Sequence, residues 1–294
     1  APLLEAAGVH GGTGLRAGTI VTPTTARGLR FLGRAGPVRR SLAARDKPVT
    51  GVYRDREGGL WALLDGGLLR YDLGAPFTEH GTDTGLEATG VVDVARHRGT
   101  LYAATNQSAY RLRPSDDTLA TFERVRGLAP ESMTRIECFT LLSDGRDLLV
   151  GTSNGLARRG GDGSIEYLFP DVPVYDLLRS RVDSSRLYAA TANGVRLLTR
   201  TESGWTDTET YLPGLSVKPR SLAEADDGAL WVGTPHRGVY RARSPLRPDS
   251  VVVDTFGTEH GLPDGPVRVA RWQGRTIFGT STDLKRFRPS PTPR

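Results

Sequence analysis

Asp226-Asp227-Gly228-Ala229-Leu230-Trp231-Val232-Gly233-Thr234, with Pro235-His236-Arg237-Gly238 and Val239-Tyr240-Arg241-Ala242 after it, is the stretch on which the fold turns. An acidic turn leads into a short apolar run with one aromatic ring, and a second turn leads into an alternating run, which reads as successive hairpins. Related runs stand at Leu60-Trp61-Ala62-Leu63, Leu101-Tyr102-Ala103-Ala104-Thr105, Leu148-Leu149-Val150-Gly151-Thr152, Leu187-Tyr188-Ala189-Ala190-Thr191 and Thr276-Ile277-Phe278-Gly279-Thr280. A weaker copy is Ile20-Val21-Thr22-Pro23-Thr24. The large positions Val21, Trp61, Tyr102, Leu149, Tyr188, Trp231 and Ile277 are spaced by 40, 41, 47, 39, 43 and 46 residues, and seven repeats of 42 account for all 294.

Before each copy stands another alternating stretch, such as Val91-Val92-Asp93-Val94-Ala95, and a more polar fourth stretch follows the third, as at Asp207–Tyr211. Gly-Leu marks the exit at Gly85-Leu86, Gly127-Leu128, Gly214-Leu215 and Gly261-Leu262. Four short antiparallel strands at this period describe a β-propeller blade, which cannot bury both faces alone and must stack on its neighbours. The expectation is an all-β chain, residues 1–294 forming a single seven-bladed β-propeller of four-stranded antiparallel blades. The last copy ends at Lys285-Arg286-Phe287, so its outer strand is expected to be absent or supplied by Pro2–Val9.

Composition limits the function. No uncharged run exceeds Gly99–Tyr110, far short of the roughly 20 apolar residues of a membrane span. The single cysteine, Cys138, excludes an internal disulfide and a multi-thiolate zinc site. The first residue is Ala and no basic-then-apolar leader follows, so a mature chain or an excised domain is expected. The formal charge is +6, carried almost wholly by arginine, with lysine only at Lys47, Lys218 and Lys285. An arginine excess invites a nucleic-acid reading only where the charges cluster. Here Arg30, Arg70, Arg111, Arg158, Arg196, Arg241 and Arg286 each fall in the third strand of a different repeat. That distribution supports seven blades, with aliphatic stems over apolar surface and heads in water, and no nucleic-acid partner.

Gly214-Leu215, Asp226–Thr234 and Gly238-Val239-Tyr240-Arg241, with Asp55-Arg56-Glu57-Gly58-Gly59-Leu60-Trp61 and Gly67–Tyr71, are similar to the two-component regulator propeller repeat. The resemblance implies the extracytoplasmic, periplasmic sensor region of a membrane-bound, often hybrid, histidine kinase. Kinase motifs, a membrane span and a trailing immunoglobulin-like module are not seen, so it implies a domain cut from a larger protein, touching membrane only through fused segments.

Catalytic candidates are thin. His80 and His260 share the tetrapeptide Thr-Glu-His-Gly 180 residues apart, which reads as a turn at equivalent places on non-adjacent blades and not as one metal site. His10, His97 and His236 read as solvated loop residues, and Cys138 as a buried small hydrophobe. Trp61, Trp231, Tyr102 and Tyr188 read as wedges between blades. The Asp55–Trp61 and Asp226–Trp231 turns lack the Ser and Thr of sialidase-type turns, and no Ser-His-Asp set or phosphate loop stands out. No cofactor or metal and no catalytic activity is expected.

Recognition then falls to loops. The turns between second and third strands share a face with the links between blades, here Asp83-Thr84, Pro130-Glu131, Lys218-Pro219 and Pro263-Asp264. Asn106, Gln107, Asn154, Asn193, His236, Arg237 and Asp264 are the expected ligand-binding residues, suited to a small molecule such as a carbohydrate, or a peptide. The function expected is a non-catalytic ligand-sensing domain of a two-component sensor, a second copy being a further expected partner. The alternatives are a propeller-fold glycan hydrolase or lyase, and a protein–protein scaffold.

Overall fold

The alternating stretches form strands and the Gly-containing segments between them form hairpins. The structure, a computed structural model, describes residues 13–14, 20–24, 28–33, 36–40, 49–54, 59–64, 67–72, 80–87, 90–113, 121–130 and 133–288, with strand placement only for most of those before 80. His10 and Pro2–Val9 lie outside the described residues. The chain divides into two compact units, Ala1–Leu86 with Arg113–Phe122, and Glu87–Leu112 with Glu123–Arg294.

The first unit carries sheet 1, formed by β1 (Thr13–Gly14), β2 (Ile20–Thr24), β3 (Gly28–Gly33) and β4 (Gly36–Arg40). Sheet 2 follows, with β5 (Val49–Arg54), β6 (Gly59–Leu64) and β7 (Gly67–Asp72). The second unit holds sheets 4 to 7 and most of sheet 3, which is formed by β8 (Val91–His97), β9 (Thr100–Thr105), β10 (Ala109–Arg113) and β11 (Thr121–Arg124), Arg113, Thr121 and Phe122 being counted with the first unit. Sheet 4 has β12 (Cys138–Asp144), β13 (Asp147–Thr152), β14 (Gly155–Arg159) and β15 (Ile165–Pro170), and sheet 5 has β16 (Val174–Arg179), β17 (Arg186–Thr191), β18 (Gly194–Thr201) and β19 (Gly204–Tyr211). Sheet 6 has β20 (Ser221–Glu224), β21 (Leu230–Gly233), β22 (Val239–Arg243) and β23 (Val252–Phe256), and sheet 7 has β24 (Arg268–Trp272), β25 (Arg275–Gly279) and β26 (Leu284–Arg286). All are antiparallel meanders, the blades of an all-β propeller architecture. Four strands per blade holds for five sheets; sheets 2 and 7 have three among the described residues, the last of them as its early end at Lys285-Arg286-Phe287 leads one to expect.

In the second unit the first strands β8, β12, β16, β20 and β24 lie side by side in chain order, and the core sits between sheets. The large position of four repeats faces the following sheet: Tyr102 packs with Leu141 and Leu148, Leu149 with Leu177 and Leu187, Tyr188 with Leu222 and Leu230, and Trp231 with Val269 and Phe278. They are the expected wedges, and Trp231 sits 4.9–5.3 Å, centroid to centroid, from Phe256, Phe278 and Phe287. The small residue two places later is required by close approach: a Cβ on Gly151 would lie 2.6 Å from the Val174 carbonyl oxygen of the next sheet.

The arginine alignment holds by strand and fails by face. Arg70, Arg111, Arg158, Arg241 and Arg286 stand opposite the large positions, but Arg196 stands opposite Ala189 and Arg30 opposite Thr22. One residue of offset reverses the side. Arg196 therefore lies over Phe169 of the preceding sheet, 4.5 Å from its centroid, and pairs with the half-buried Asp207 of β19. The described heads are not simply in water: Arg111 pairs with Glu123, Arg158 with Glu166 and Arg241 with Asp227.

Candidate functional site

The Thr that closes most repeats builds the turn after it. Thr105, Thr152, Thr191 and Thr234 are buried, and their Oγ1 atoms donate to the carbonyls of Ser108, Gly155, Gly194 and Gly238 at 2.7–3.0 Å. The same oxygens accept the backbone N–H of Gln107, Asn154, Asn193 and Arg237 at 3.0–3.2 Å. Four of the residues expected to bind ligand are thus held by their backbones, with their side chains at the turn. The links lie beside them, because Ile136 N–H donates to the Gln107 carbonyl, Asp171 N–H to that of Asn154 and Val267 N–H to that of Thr234. Chain entering the next sheet, at Ile136, Asp171 and Val267, therefore lies beside these turns of the second unit, whereas Asp83-Thr84 lie in the first unit and Glu131 outside the described residues.

His236 and Arg237 line a cleft of about 310 Å³ with Ser216, Val217, Lys218, Thr234 and Pro235. It joins the sheet 6 turn to the link before that sheet and carries two formal cations beside an imidazole. Asn106, Gln107, Asn154, Asn193 and Asp264 do not line it, standing on other turns and on the next link. Three residues missed by sequence lie nearby, two on first strands and Arg220 just before one. The Phe139 and Tyr175 rings are 5.1 Å apart, and the Arg220 guanidinium lies 3.4 Å from the Tyr175 centroid. Arg220 is two residues past Lys218, so this aromatic–cationic row reaches the link that walls the cleft. The sequence signal was Phe139 and Tyr175 standing where a strand alternating strictly would place polar residues.

Deeper along the first strands, side chains tie one sheet to the next. Asp93 Oδ2 accepts the Leu141 N–H and Asp176 Oδ2 the Leu222 N–H, both at 2.7 Å, and Ser221 Oγ accepts the Val269 N–H at 2.8 Å. Burial pushes the Asp176 carboxyl up to about 6, and the charge of Asp93 adds to this against the N–H groups of Leu222 and Leu177 and the Arg268 guanidinium.

Several single-residue readings change. His97 is buried at the end of β8, its Nδ1 2.9 Å from Ser143 Oγ, and is a core residue and not a solvated one; burial and the Arg159 and Arg98 charges lower its pKa. His80 and His260 are not equivalent. Gly257 and Gly261 bracket the 3₁₀ turn Thr258–His260, and the matching brackets are Gly81 and Gly85 around Thr82–Thr84, so His260 corresponds to Thr84. His260 Nδ1 accepts the Gly257 N–H as Thr84 Oγ1 accepts that of Gly81, while His80 lies edge-on to Phe122. Cys138 is fully buried and its thiol is pushed up to about 12 by burial, the hydrophobic role expected. Among the described residues no three His, Cys, Asp or Glu side chains are grouped to hold a metal, and no helix is long and apolar enough to cross a membrane.

No protein-family model matches the sequence, and no curated protein matches it. Solved structures do. The extracellular domain of the hybrid two component system BT3049 from B. thetaiotaomicron aligns with a TM-score of 0.51 and 14% identity over 94% of this chain and 38% of that one. That of the one component system BT4673 from B. thetaiotaomicron aligns with a TM-score of 0.54 and 16% identity over 95% of this chain and 38% of that one. The fold is shared with these extracellular domains. That agrees with the resemblance of the repeats to the two-component regulator propeller family, and the chain spans 38% of the length of either neighbour.

Proposed function

We propose that the chain is a non-catalytic, ligand-sensing domain of a two-component sensor, periplasmic in location, whose seven sheets are the blades of one ring. The observation that carries the reading is the loop face of sheets 4 to 6, where the Lys218, His236 and Arg237 cleft adjoins the Phe139, Tyr175 and Arg220 row. Flat rings suit the apolar faces of sugars, and the cationic groups suit a carboxylate on the same ligand. The ligand class is therefore an acidic carbohydrate, with short peptides as the second choice. Sensing follows if the ligand binds one geometry of the parent histidine kinase, alone or as a pair of propellers, more tightly than another.

The test is calorimetric titration of the purified protein with neutral oligosaccharides, uronic-acid oligosaccharides and short peptides. Binding of the acidic sugars is expected, weakened at least about tenfold by Arg237→Ala or Tyr175→Ala, as for central contacts of an interface. Absence of binding from the whole panel, or cleavage of any oligosaccharide, overturns the reading.

A further inference from the structure

The interfaces between successive sheets of the second unit share one construction, and one of them has no fourth-strand contribution among the described residues. At the 3–4 interface the fourth strand of sheet 4 adds Ile165 and Tyr167 to the packing. At the 4–5 interface the fourth strand of sheet 5 adds Trp205, and at the 5–6 interface that of sheet 6 adds Val253. Sheet 7 has no fourth strand among the described residues, and at the 6–7 interface there is a cleft of about 490 Å³. The half-buried Phe287 lines it and, with Phe256 and Phe278, covers the buried Trp231 behind it.

Two further features define what fits. The edge of β26 away from β25 has no strand neighbour among the described residues, and an edge of that kind can accept a further strand. The rim is cationic. Asp226 and Asp227 are held by Arg271 and Arg241, whereas Arg275, Arg286 and Arg288 are exposed and without an ion pair among the described residues. We propose that this cleft and edge receive an extended acidic segment of a partner protein, paired with β26 as a fourth strand and seating one aromatic side chain against Phe287. The chain holds its own template: β19, Gly204–Tyr211, carries the aromatic Trp205 and the acidic Asp207 and Glu209.

The probe is a fluorescein-labelled peptide with the sequence of β19, Gly-Trp-Thr-Asp-Thr-Glu-Thr-Tyr, titrated with the full chain by anisotropy. Saturable binding is expected. It weakens at least about tenfold when the peptide's Trp becomes Ala, when its two acids become amides, or when the protein carries Arg286→Glu, the scale of a lost anchor or charge contact. Arg286 is exposed, so an unchanged circular dichroism spectrum separates lost binding from lost folding; Arg237→Ala on the loop face leaves binding intact. No binding up to about 1 mM, a floor for any specific interaction, overturns the proposal, as does equal binding of the Ala peptide. Binding that requires removal of residues 1–12 assigns the place to this chain's own terminus, and self-association lost in Arg286→Glu without peptide binding assigns it to a second copy; either overturns the proposal.

Discussion

At the residue scale, the repeat pattern reduces to two physical requirements. The large residue fills the gap toward the next sheet, and the Thr three places later closes the turn. Thr191 donates 2.9 Å to the Gly194 carbonyl and accepts the Asn193 N–H at 3.2 Å, with no surface exposed. Thr191→Val keeps the shape and removes both bonds, and is expected to cost about 1–3 kcal/mol in urea unfolding. Asp176 gives a pH dependence of definite sign. With a folded pKa of about 6 against an ordinary 3.8, the folded state binds the proton more tightly, so stability is greatest at low pH and falls as pH rises through that window. Between pH 4.5 and 7.5 the native protein should lose about 2 kcal/mol from this group. Asp176→Asn should lack that loss, read as the change in the difference between the two unfolding free energies at the two pH values. A difference that does not vary with pH would show that this carboxyl is not the source.

At the element scale, Trp205 shows what a fourth strand contributes. Its indole is buried, and Nε1 donates 2.8 Å to Asp144, which also accepts from Arg179 and Arg200 of the same sheet as Trp205. Trp205→Ala removes the packing and the bond and is expected to destabilise by about 3–5 kcal/mol in urea unfolding, whereas Trp205→Phe, which keeps most of the packing, costs about 1–2 kcal/mol. Much of this architecture was legible, because hairpin turns and wedge residues are local signals. Strands two and three of every repeat are where the alignment of Trp61, Tyr102, Leu149, Tyr188 and Trp231 puts them. What stayed illegible depends on register. The offset that turns Arg196 onto Phe169 leaves no local trace, and the matched tetrapeptides at His80 and His260 pointed four residues away from the turn the two regions share. Of the candidate site, His236 and Arg237 were legible as turn residues beside Lys218. Phe139, Tyr175 and Arg220 were not, because only the stacking of separate first strands brings them together.

At the scale of the whole molecule, the expectation that the +6 charge serves no nucleic-acid partner can be tested directly. Arg111, Arg158, Arg196 and Arg241 are paired with acids on four different sheets, so these third-strand arginines do not form one stripe for phosphates. A short DNA duplex is accordingly expected not to bind in a gel-shift titration at about 0.15 M salt, where phosphate contacts are already well screened. The ring proposed for the seven sheets makes a stronger demand. In an open stack each end sheet has one neighbour, and unfolding can begin there and proceed stepwise. In a closed ring every sheet is held on both sides, so no sheet can leave without opening two interfaces, and unfolding should be one cooperative transition. The four tryptophans allow this to be read by region: Trp61 lies in the first unit, and Trp205, Trp231 and Trp272 in the second. Fluorescence of the native protein minus that of Trp61→Phe follows the first unit, and the variant alone follows the second. Coincident urea midpoints for these two signals and for far-ultraviolet circular dichroism are the expected result. Two separated midpoints would mean that the units unfold independently, and the single ring would be abandoned.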